Sequence, residues 1–288
     1  MPELPEVETI RRELHQMLPG VTIQRVDLHL AKMVKLSKGR FHRLVSGTKI
    51  LAVRRRAKML LIDLDNGWTI IIHLKMSGQL IWQSTKGKLT VGGHPISGGI
   101  DDLPNKFSHV VFHTNRGTLF FNDQRQFGFV KMVLTNDIDA WLERLRLGPE
   151  PLSREFTWSR FQELVDRHGR KKVKPALLDQ TVIAGIGNIY ADESCFSARV
   201  LPTRRLATLT PRERKNLYRG IQTILRLAIK RKGTTADAYR TANGEKGRMM
   251  PFLKVYQRPG RPCKRCTGTV QRMLLAGRGT HFCPRCQR

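Results

Sequence analysis

The chain has no hydrophobic run long enough to span a bilayer, which excludes a membrane-crossing helix. It also lacks the basic start, short apolar core and small-residue cleavage site of a secretory signal, so a cytoplasmic protein is expected. No internal repeat is present, which excludes a solenoid. Acids are scarce: 23 Asp and Glu stand against 52 Lys and Arg in 288 residues, a net charge of +29. The deficit is uneven. From Arg199 onward there are 23 Lys and Arg but only 3 Asp and Glu. These cations are spread over several elements instead of lining one amphipathic helix, which favours nucleic acid over a membrane surface as the partner. With 40% hydrophobic residues the chain can bury a real core, and its length predicts about two domains.

Cysteine is sparse too, and four of the five are bunched as Cys263-x2-Cys266-x16-Cys283-x2-Cys286. Paired Cys-x2-Cys knuckles supply four thiolates to a tetrahedral metal, normally zinc, and the closed thiolate set makes the site structural. Disulfides are the alternative, disfavoured where no export signal is seen. Cys195, alone in a helical stretch, reads as a small buried hydrophobe.

The most informative stretch is Met1-Pro2-Glu3-Leu4-Pro5-Glu6. If the initiator Met is removed, the chain starts with a secondary amine beside a carboxylate, Glu3. An α-amino group titrates near about 7.7–8.0 against about 10.4 for Lys, so part of it is a free nucleophile near neutrality. A Schiff base on proline is an iminium that cannot lose its charge by deprotonation, and it therefore remains an electron sink. The plain alternative is that Pro5 opens an amphipathic helix over about 5–18, with Val7, Ile10, Leu14, Met17 and Leu18 on one face. Glu6 and Glu8 then complement the helix dipole.

Strand patterns follow over Thr22–Leu30, Lys49–Val53, Met59–Asp63 and Trp68–Leu74, and over Gln79–Trp82, His109–His113, Thr118–Phe121 and Phe127–Leu134. The Gly-rich segment Lys86–Pro104 reads as a long mobile loop. Residues 1–135 are thus predicted to be a β-sandwich or barrel with a leading helix. Helices are expected at Asp137–Arg146, Ser159–Arg167 and Pro175–Leu178, from near Asn188, and from the capping box at Thr210 to Gly233. A polar loop, Thr241–Met250, precedes a zinc-binding hairpin. Gly185-Ile186-Gly187 lacks the third glycine and the βαβ context of a dinucleotide loop, so it is read as a tight turn at a helix N-terminus that admits a phosphate.

Met1-Pro2-Glu3-Leu4-Pro5-Glu6-Val7-Glu8-Thr9, Arg55-Arg56-Ala57-Lys58, His73-Leu74-Lys75-Met76-Ser77-Gly78, Gly185-Ile186-Gly187-Asn188-Ile189-Tyr190, the four cysteines and Gly277-Arg278-Gly279-Thr280-His281-Phe282-Cys283 occur together in this order. The chain resembles, from end to end, the bacterial formamidopyrimidine-DNA glycosylases. The resemblance implies a multidomain α+β fold: an N-terminal catalytic β-sandwich (1–135), a linker and helix (136–155), a helix–two-turn–helix domain (156–240), and a lesion-capping loop with a C-terminal zinc finger (241–288). It implies excision of 8-oxoguanine and formamidopyrimidines from double-stranded DNA, then strand cleavage at the abasic site by β,δ-elimination. One structural Zn2+, no redox or organic cofactor and a monomeric state are expected.

Carried over by position, Pro2 is the nucleophile and Glu3 the acid that opens the sugar ring. Lys58 contacts the phosphate beside the lesion, although Lys alone is usually a solvated cation. Asn188 donates its amide to the same phosphate, and Arg278, flanked by glycines, is a phosphate clamp counted with the catalytic set. His73, His109, Lys174 and Tyr190 map onto DNA-contacting positions. Extruding a base leaves a hole, which Met76, Arg125 and Phe127 are expected to fill, with Arg125 facing the orphaned cytosine. On pattern alone Met76 and Phe127 would be core residues.

The chain departs from the family pattern at Gln126, where Arg or Lys is usual, and at Phe107-Ser108-His109, where His-Asp-His is usual. Cys266-Thr267-Gly268 replaces Cys-Gly. The nearest rival is an endonuclease VIII-like relative acting on oxidised pyrimidines, against which Leu4 and His73-Leu74-Lys75-Met76 speak. A zinc-ribbon protein binding DNA by charge alone explains the charge and the cysteines but leaves Pro2-Glu3 and Asn188 without a purpose.

Overall fold

The computed structural model describes residues 1–87, 89–93, 102–234 and 248–288. The chain divides into two compact units, Met1–Arg144 with Arg231–Arg248, and Leu145–Lys230 with Met249–Arg288. The helical region and the four-cysteine segment both lie in the second unit.

The first unit opens with α1 (Leu4–Met17), N-capped by Glu3, with Pro5 in its first turn. Its Val7, Ile10 and Leu14, with Leu18 just beyond, are at most 1% exposed, as the helical spacing required. There follow β1 (Thr22–Leu28), α2 (Lys38–Val45), β2 (Thr48–Arg56), β3 (Met59–Leu64), β4 (Trp68–His73), β5 (Gly78–Ser84), β6 (Leu89–Gly93), β7 (Ser108–Thr114), β8 (Gly117–Asp123), β9 (Phe129–Leu134) and α3 (Ile138–Arg144). Among the described residues nine strands pair antiparallel in the order β6-β5-β8-β7-β1-β2-β3-β4-β9. The β1–β2 ladder holds only the pairs Thr22↔Lys49 and Ile23↔Thr48, so the sheet divides there into two halves. Alternate residues of both halves, among them Val26, Phe112 and Phe121 on one side and Val53, Leu60 and Ile72 on the other, share one core with α1. That is the sandwich expected of this region.

Two features escaped the sequence pattern. Helix α2 is short, and its cap is Ser37, whose hydroxyl accepts from the Arg40 amide. Strand β6 lies inside the segment read as a loop, a correction forced by packing. A side chain at Gly92 would come within 2.8 Å of Ile10, so glycine is what lets this strand pass α1.

The second unit contains α4 (Trp158–Arg167), α5 (Val173–Leu178), α6 (Asn188–Ala198), α7 (Pro211–Lys230) and a hairpin of β10 (Gln271–Leu275) and β11 (Arg278–Phe282). Thr157 caps α4 by accepting from the Arg160 amide. The Thr210–Glu213 capping box starts α7: the hydroxyl accepts from Glu213 N and the carboxylate from Thr210 N. Helix α6 runs through the middle, with eight of its residues buried, including Asp192, Glu193 and Cys195. Cys195 is fully buried, as a small hydrophobe in this helix would be, and burial pushes its thiol far up the pH scale. Mixed α and β structure, an N-terminal sheet, a helical region and a C-terminal cysteine cluster are thus all present.

Candidate active site and nucleic-acid interface

In the first unit Pro2, Glu3 and Glu6 are buried together at the start of α1. The Glu6 carboxylate accepts from the Glu3 amide at 2.9 Å and from the amide and hydroxyl of Thr234 at 2.9 and 3.1 Å. Glu6 therefore does more than complement a helix dipole: it ties the start of α1 to Thr234, which precedes segment 235–247. The lesion-capping loop expected over 241–250 lies largely outside the described residues. The amino group of Met1, one residue upstream of Pro2, has its pKa held below the ordinary 8.0 by burial. Lys58 and Arg125 act in the same direction, against the carboxylates of Glu3 and Glu6.

Lys58 is presented by the tight turn between β2 and β3, where Ala57 adopts the left-handed region at φ 52°. It is 6% exposed, which rules out the solvated-cation reading. The turn is braced by Arg55, which donates to the Ala57 carbonyl and pairs with Glu8 at 3.0 Å. Burial alone would raise the Glu8 carboxyl. Arg11, Arg12 and Arg55 outweigh it and hold that group at about 2.

His73 ends β4. Its Nδ1 accepts from the Lys75 amide at 2.9 Å, which leaves Nε2 as the donor. Burial first, then Lys75 and Lys58, hold its pKa at about 3, so the ring is neutral at physiological pH. Three residues on, Met76 stands 38% exposed at the tip of a turn that closes on Gly78, where any side chain would strike the Leu74 carbonyl.

Phe127 is 55% exposed, and the Arg125 guanidinium lies 4.8 Å over its ring. Neither Met76 nor Phe127 is a core residue. Their two loops are joined by a node the sequence did not single out. The fully buried Asp123 accepts from Ser77 Oγ at 2.5 Å, from Arg125 N at 3.2 Å and from Gly128 N at 2.6 Å. His109, expected to touch DNA, is 4% exposed and donates from Nε2 to the Asp123 carbonyl at 2.7 Å. It braces the loop. Of the departures in this region, Gln126 takes a positive φ of 55°, and Phe107 uses its carbonyl to accept from the Asp123 amide.

In the second unit the hairpin turns through Ala276 and Gly277 at φ 48° and 72°, the paired left-handed residues of a two-residue hairpin turn. It delivers Arg278 to the surface, exposed and without a protein partner among the described residues. Asn188, at the start of α6, donates Nδ2–H to the Gly279 carbonyl at 3.1 Å, which leaves its second N–H for another acceptor.

Lys174 and Tyr190 are both 0% exposed. Lys174 is fully buried, and its ammonium is taken by Asp192 Oδ1 at 2.7 Å, the Gly279 carbonyl at 2.8 Å and Thr280 Oγ1 at 2.9 Å. These two hydrogen bonds and the ion pair hold the ammonium inside the protein. Tyr190 is fully buried in the helical core. Asp192 and Glu193 went unnoticed, because two consecutive acids on a helix ordinarily mark a solvated face. They point inward in different directions: Asp192 to β11, and Glu193 to the amides of Lys254, Val255 and Tyr256. Burial raises the Glu193 carboxyl despite those three donors.

The sulfurs of Cys263, Cys266, Cys283 and Cys286 all lie within 4.8 Å of one another, with Cys263–Cys286 at 3.8 Å and Cys266–Cys283 at 3.7 Å. Tetrahedral ligands at zinc–sulfur distances of about 2.3 Å stand about 3.8 Å apart, so the donor set fits zinc. The Gly268 amide, donating to Cys266 Sγ, lowers that thiol to about 7, whereas burial pushes Cys286 up to about 12. Full ionisation of four crowded thiols thus calls for a cation among them. The altered Cys266-Thr267-Gly268 turn is accommodated. Gly268 lies against the Cys266 and Cys283 sulfurs, and Thr267 Oγ1 accepts from Arg285.

Comparison with known proteins agrees with this geometry. Residues 1–130 match the formamidopyrimidine-DNA glycosylase N-terminal domain, 147–239 its H2TH domain, and 260–288 a zinc finger found in FPG and IleRS. The formamidopyrimidine-DNA glycosylase of Pelotomaculum thermopropionicum is 42% identical, covering 100% of this chain and 99% of that protein. That of Heliobacterium modesticaldum is 39% identical with full coverage of both. A Lactococcus lactis Fpg in complex with abasic-site DNA superposes with a TM-score of 0.88 at 32% identity, covering 99% of each chain. The same enzyme bound to DNA containing N7-benzyl-Fapy-dG gives 0.88 at 33%, covering 100% of each. Sheet unit, helical region and four-cysteine hairpin, in that order, define a zinc-finger DNA glycosylase. The chain belongs to the formamidopyrimidine-DNA glycosylase family.

Proposed function

We propose that this protein excises oxidised purines, 8-oxoguanine and formamidopyrimidines, from duplex DNA and cuts the strand at the resulting abasic site. The observation that carries the reading is the pair Pro2 and Glu3, buried at the start of α1 beside Glu6, with Lys58 and Arg125 near enough to act on the amino terminus. Removal of Met1 makes Pro2 nitrogen the nucleophile in that setting. It attacks the anomeric carbon, the base leaves, and Glu3 protonates the ring oxygen to open the sugar. The iminium acidifies the adjacent carbon, and β- then δ-elimination releases the two phosphates. Lys58, buried beside the terminus, holds the neighbouring phosphate, and His73 offers it a neutral Nε2–H donor.

Met76, Arg125 and Phe127, exposed on loops joined through Ser77 and Asp123, fill the space of the extruded nucleotide. In the second unit Asn188 and Arg278 hold phosphates, and zinc on Cys263, Cys266, Cys283 and Cys286 would fix the hairpin that carries Arg278. The partner is damaged or abasic duplex DNA, bound by a monomer in the cytoplasm. No helix among the described residues is long and apolar enough to cross a membrane.

The test is borohydride trapping on a duplex with one 8-oxoguanine opposite cytosine, with the modified residue located by mass spectrometry. An adduct at Pro2 is expected. A protein with free Pro2 and bound zinc that traps only on oxidised pyrimidines would refute the purine assignment, and one that traps on no lesion would refute the mechanism.

A further inference from the structure

Three successive residues of β11 are gripped by three polar side chains of the second unit. Asn188 donates to the Gly279 carbonyl, Lys174 donates to that same carbonyl and to Thr280 Oγ1, and Asp192 accepts from both the amide and Nδ1 of His281 at 2.9 and 3.0 Å. Thr280, itself fully buried, passes the link on by donating to the Arg278 carbonyl at 3.1 Å. Asp192 stands one helical turn after Asn188, so both face the same strand. It is the hub: Oδ1 pairs with Lys174 and Oδ2 holds His281. Lys174 and Asp192 are both 0% exposed.

Simple packing does not call for this arrangement. A buried ion pair contributes little to stability compared with apolar residues of the same size, and its best-attested use is to fix one geometry among several. A two-residue hairpin turn standing alone is marginally stable and would let its first strand residue swing. The residue fixed here is Arg278, through the chain Asp192–Lys174–Thr280–Arg278 carbonyl.

We propose that Asp192 is a positioning residue for Arg278, acting through Lys174 and Thr280 to hold the hairpin tip where its guanidinium meets a DNA phosphate. This rests on the reading above that Arg278 is a phosphate clamp. Asp192 touches neither DNA nor the reacting atoms. Its effect reaches DNA only through Arg278, and that dependence separates positioning from general support of the fold.

The experiment is a double-mutant cycle on the zinc-loaded full chain, measuring the Kd for a duplex with a tetrahydrofuran abasic analogue opposite cytosine. Arg278→Ala is expected to weaken binding by roughly 10-fold or more, about 1.4 kcal/mol, because a charge-assisted contact is lost. Asp192→Asn, which keeps an acceptor for His281 but removes the charge facing Lys174, is expected to weaken it by about 5- to 10-fold. Combined with Arg278→Ala, Asp192→Asn should add less than about twofold, because a clamp already removed cannot be misplaced. Multiplication of the two effects, or wild-type affinity in Asp192→Asn, overturns the proposal. If Asp192→Asn fails to fold or to retain zinc, Thr280→Val takes its place. It removes only the hydroxyl between Lys174 and the Arg278 carbonyl, and it should show about threefold weakening with the same dependence on Arg278. Wild-type affinity in Arg278→Ala would instead overturn the phosphate-clamp reading on which the proposal stands.

Discussion

Each unit presents an exposed arginine on a loop and steadies that loop with a buried aspartate, but by opposite electrostatics. In the first unit Asp123 is surrounded by neutral donors, the Ser77 hydroxyl and the amides of Arg125 and Gly128. In the second, Asp192 faces a full cation, Lys174, inside the protein. Neutral donors satisfy a carboxylate atom by atom, and loss of one costs about one hydrogen bond. A buried ion pair is satisfied only as a pair, and loss of either partner strands a charge. On the function proposed above, the first design suits the loop that bears Arg125 and Phe127, which would have to adapt to a nucleotide. The second suits a hairpin tip that needs one position.

The sharpest way to break this comparison is Lys174→Met. It leaves the Asp192 carboxylate buried without its cation, and an uncompensated buried charge costs about 3–5 kcal/mol. For a protein of this size that corresponds to a fall in Tm of about 5–8 °C. Lys174→Met/Asp192→Asn should recover at least half of the loss, since the stranded charge is then gone. Equal Tm values for the single and double variants would show that the ion pair is not what Lys174 supplies.

Asp123→Asn is the matching change in the first unit and should cost less, about 1–3 kcal/mol. The amide oxygen can still accept from Ser77 and Arg125, whereas its NH2 group would face the Gly128 amide, donor against donor. Gly128 cannot move away, because its surroundings leave no room: even a Cβ there would lie 2.8 Å from Phe121. Urea denaturation of the two variants side by side decides the matter. A loss for Asp123→Asn as large as that for Lys174→Met would erase the distinction drawn between the units.

How much of this was legible in the sequence follows the same division. Features set by neighbours along the chain were readable: the capped helix behind Pro2, the turn that carries Arg278, and the two cysteine knuckles. The strand at Leu89–Gly93 was not, because its glycine serves Ile10 on a helix about eighty residues earlier. The burial of Lys174 was not legible for the same reason, its acceptors at Gly279 and Thr280 lying 105 and 106 residues away. Spacing reveals which side chains share a face, but it does not show that an acid and a base will meet inside. Met76 and Phe127 illustrate the converse: apolar residues that composition assigns to a core, and that the structure leaves exposed on loops.

The smallest expected effect concerns pH and again separates the units. His73 has a folded pKa of about 3, depressed by burial and by Lys75 and Lys58, against 6.5 when unfolded. Below pH 6.5 the unfolded chain therefore binds a proton that the folded chain refuses, and stability falls as pH drops from 6.5 toward 3. One proton of difference gives a slope of at most about 1.4 kcal/mol per pH unit, and partial exposure of the ring reduces it to about 1. In the second unit His168 is also lowered, but it is mostly solvated and its pull on stability should be slight. Tm measured between pH 7.0 and 5.5, above the range where the zinc thiolates compete strongly for protons, should drop by a few degrees in the wild type. His73→Asn, which can keep an acceptor for the Lys75 amide, should flatten that slope, whereas His168→Asn should leave it nearly intact. The reverse order would mean that the neutral imidazole beside Lys58 is not the group that senses acid.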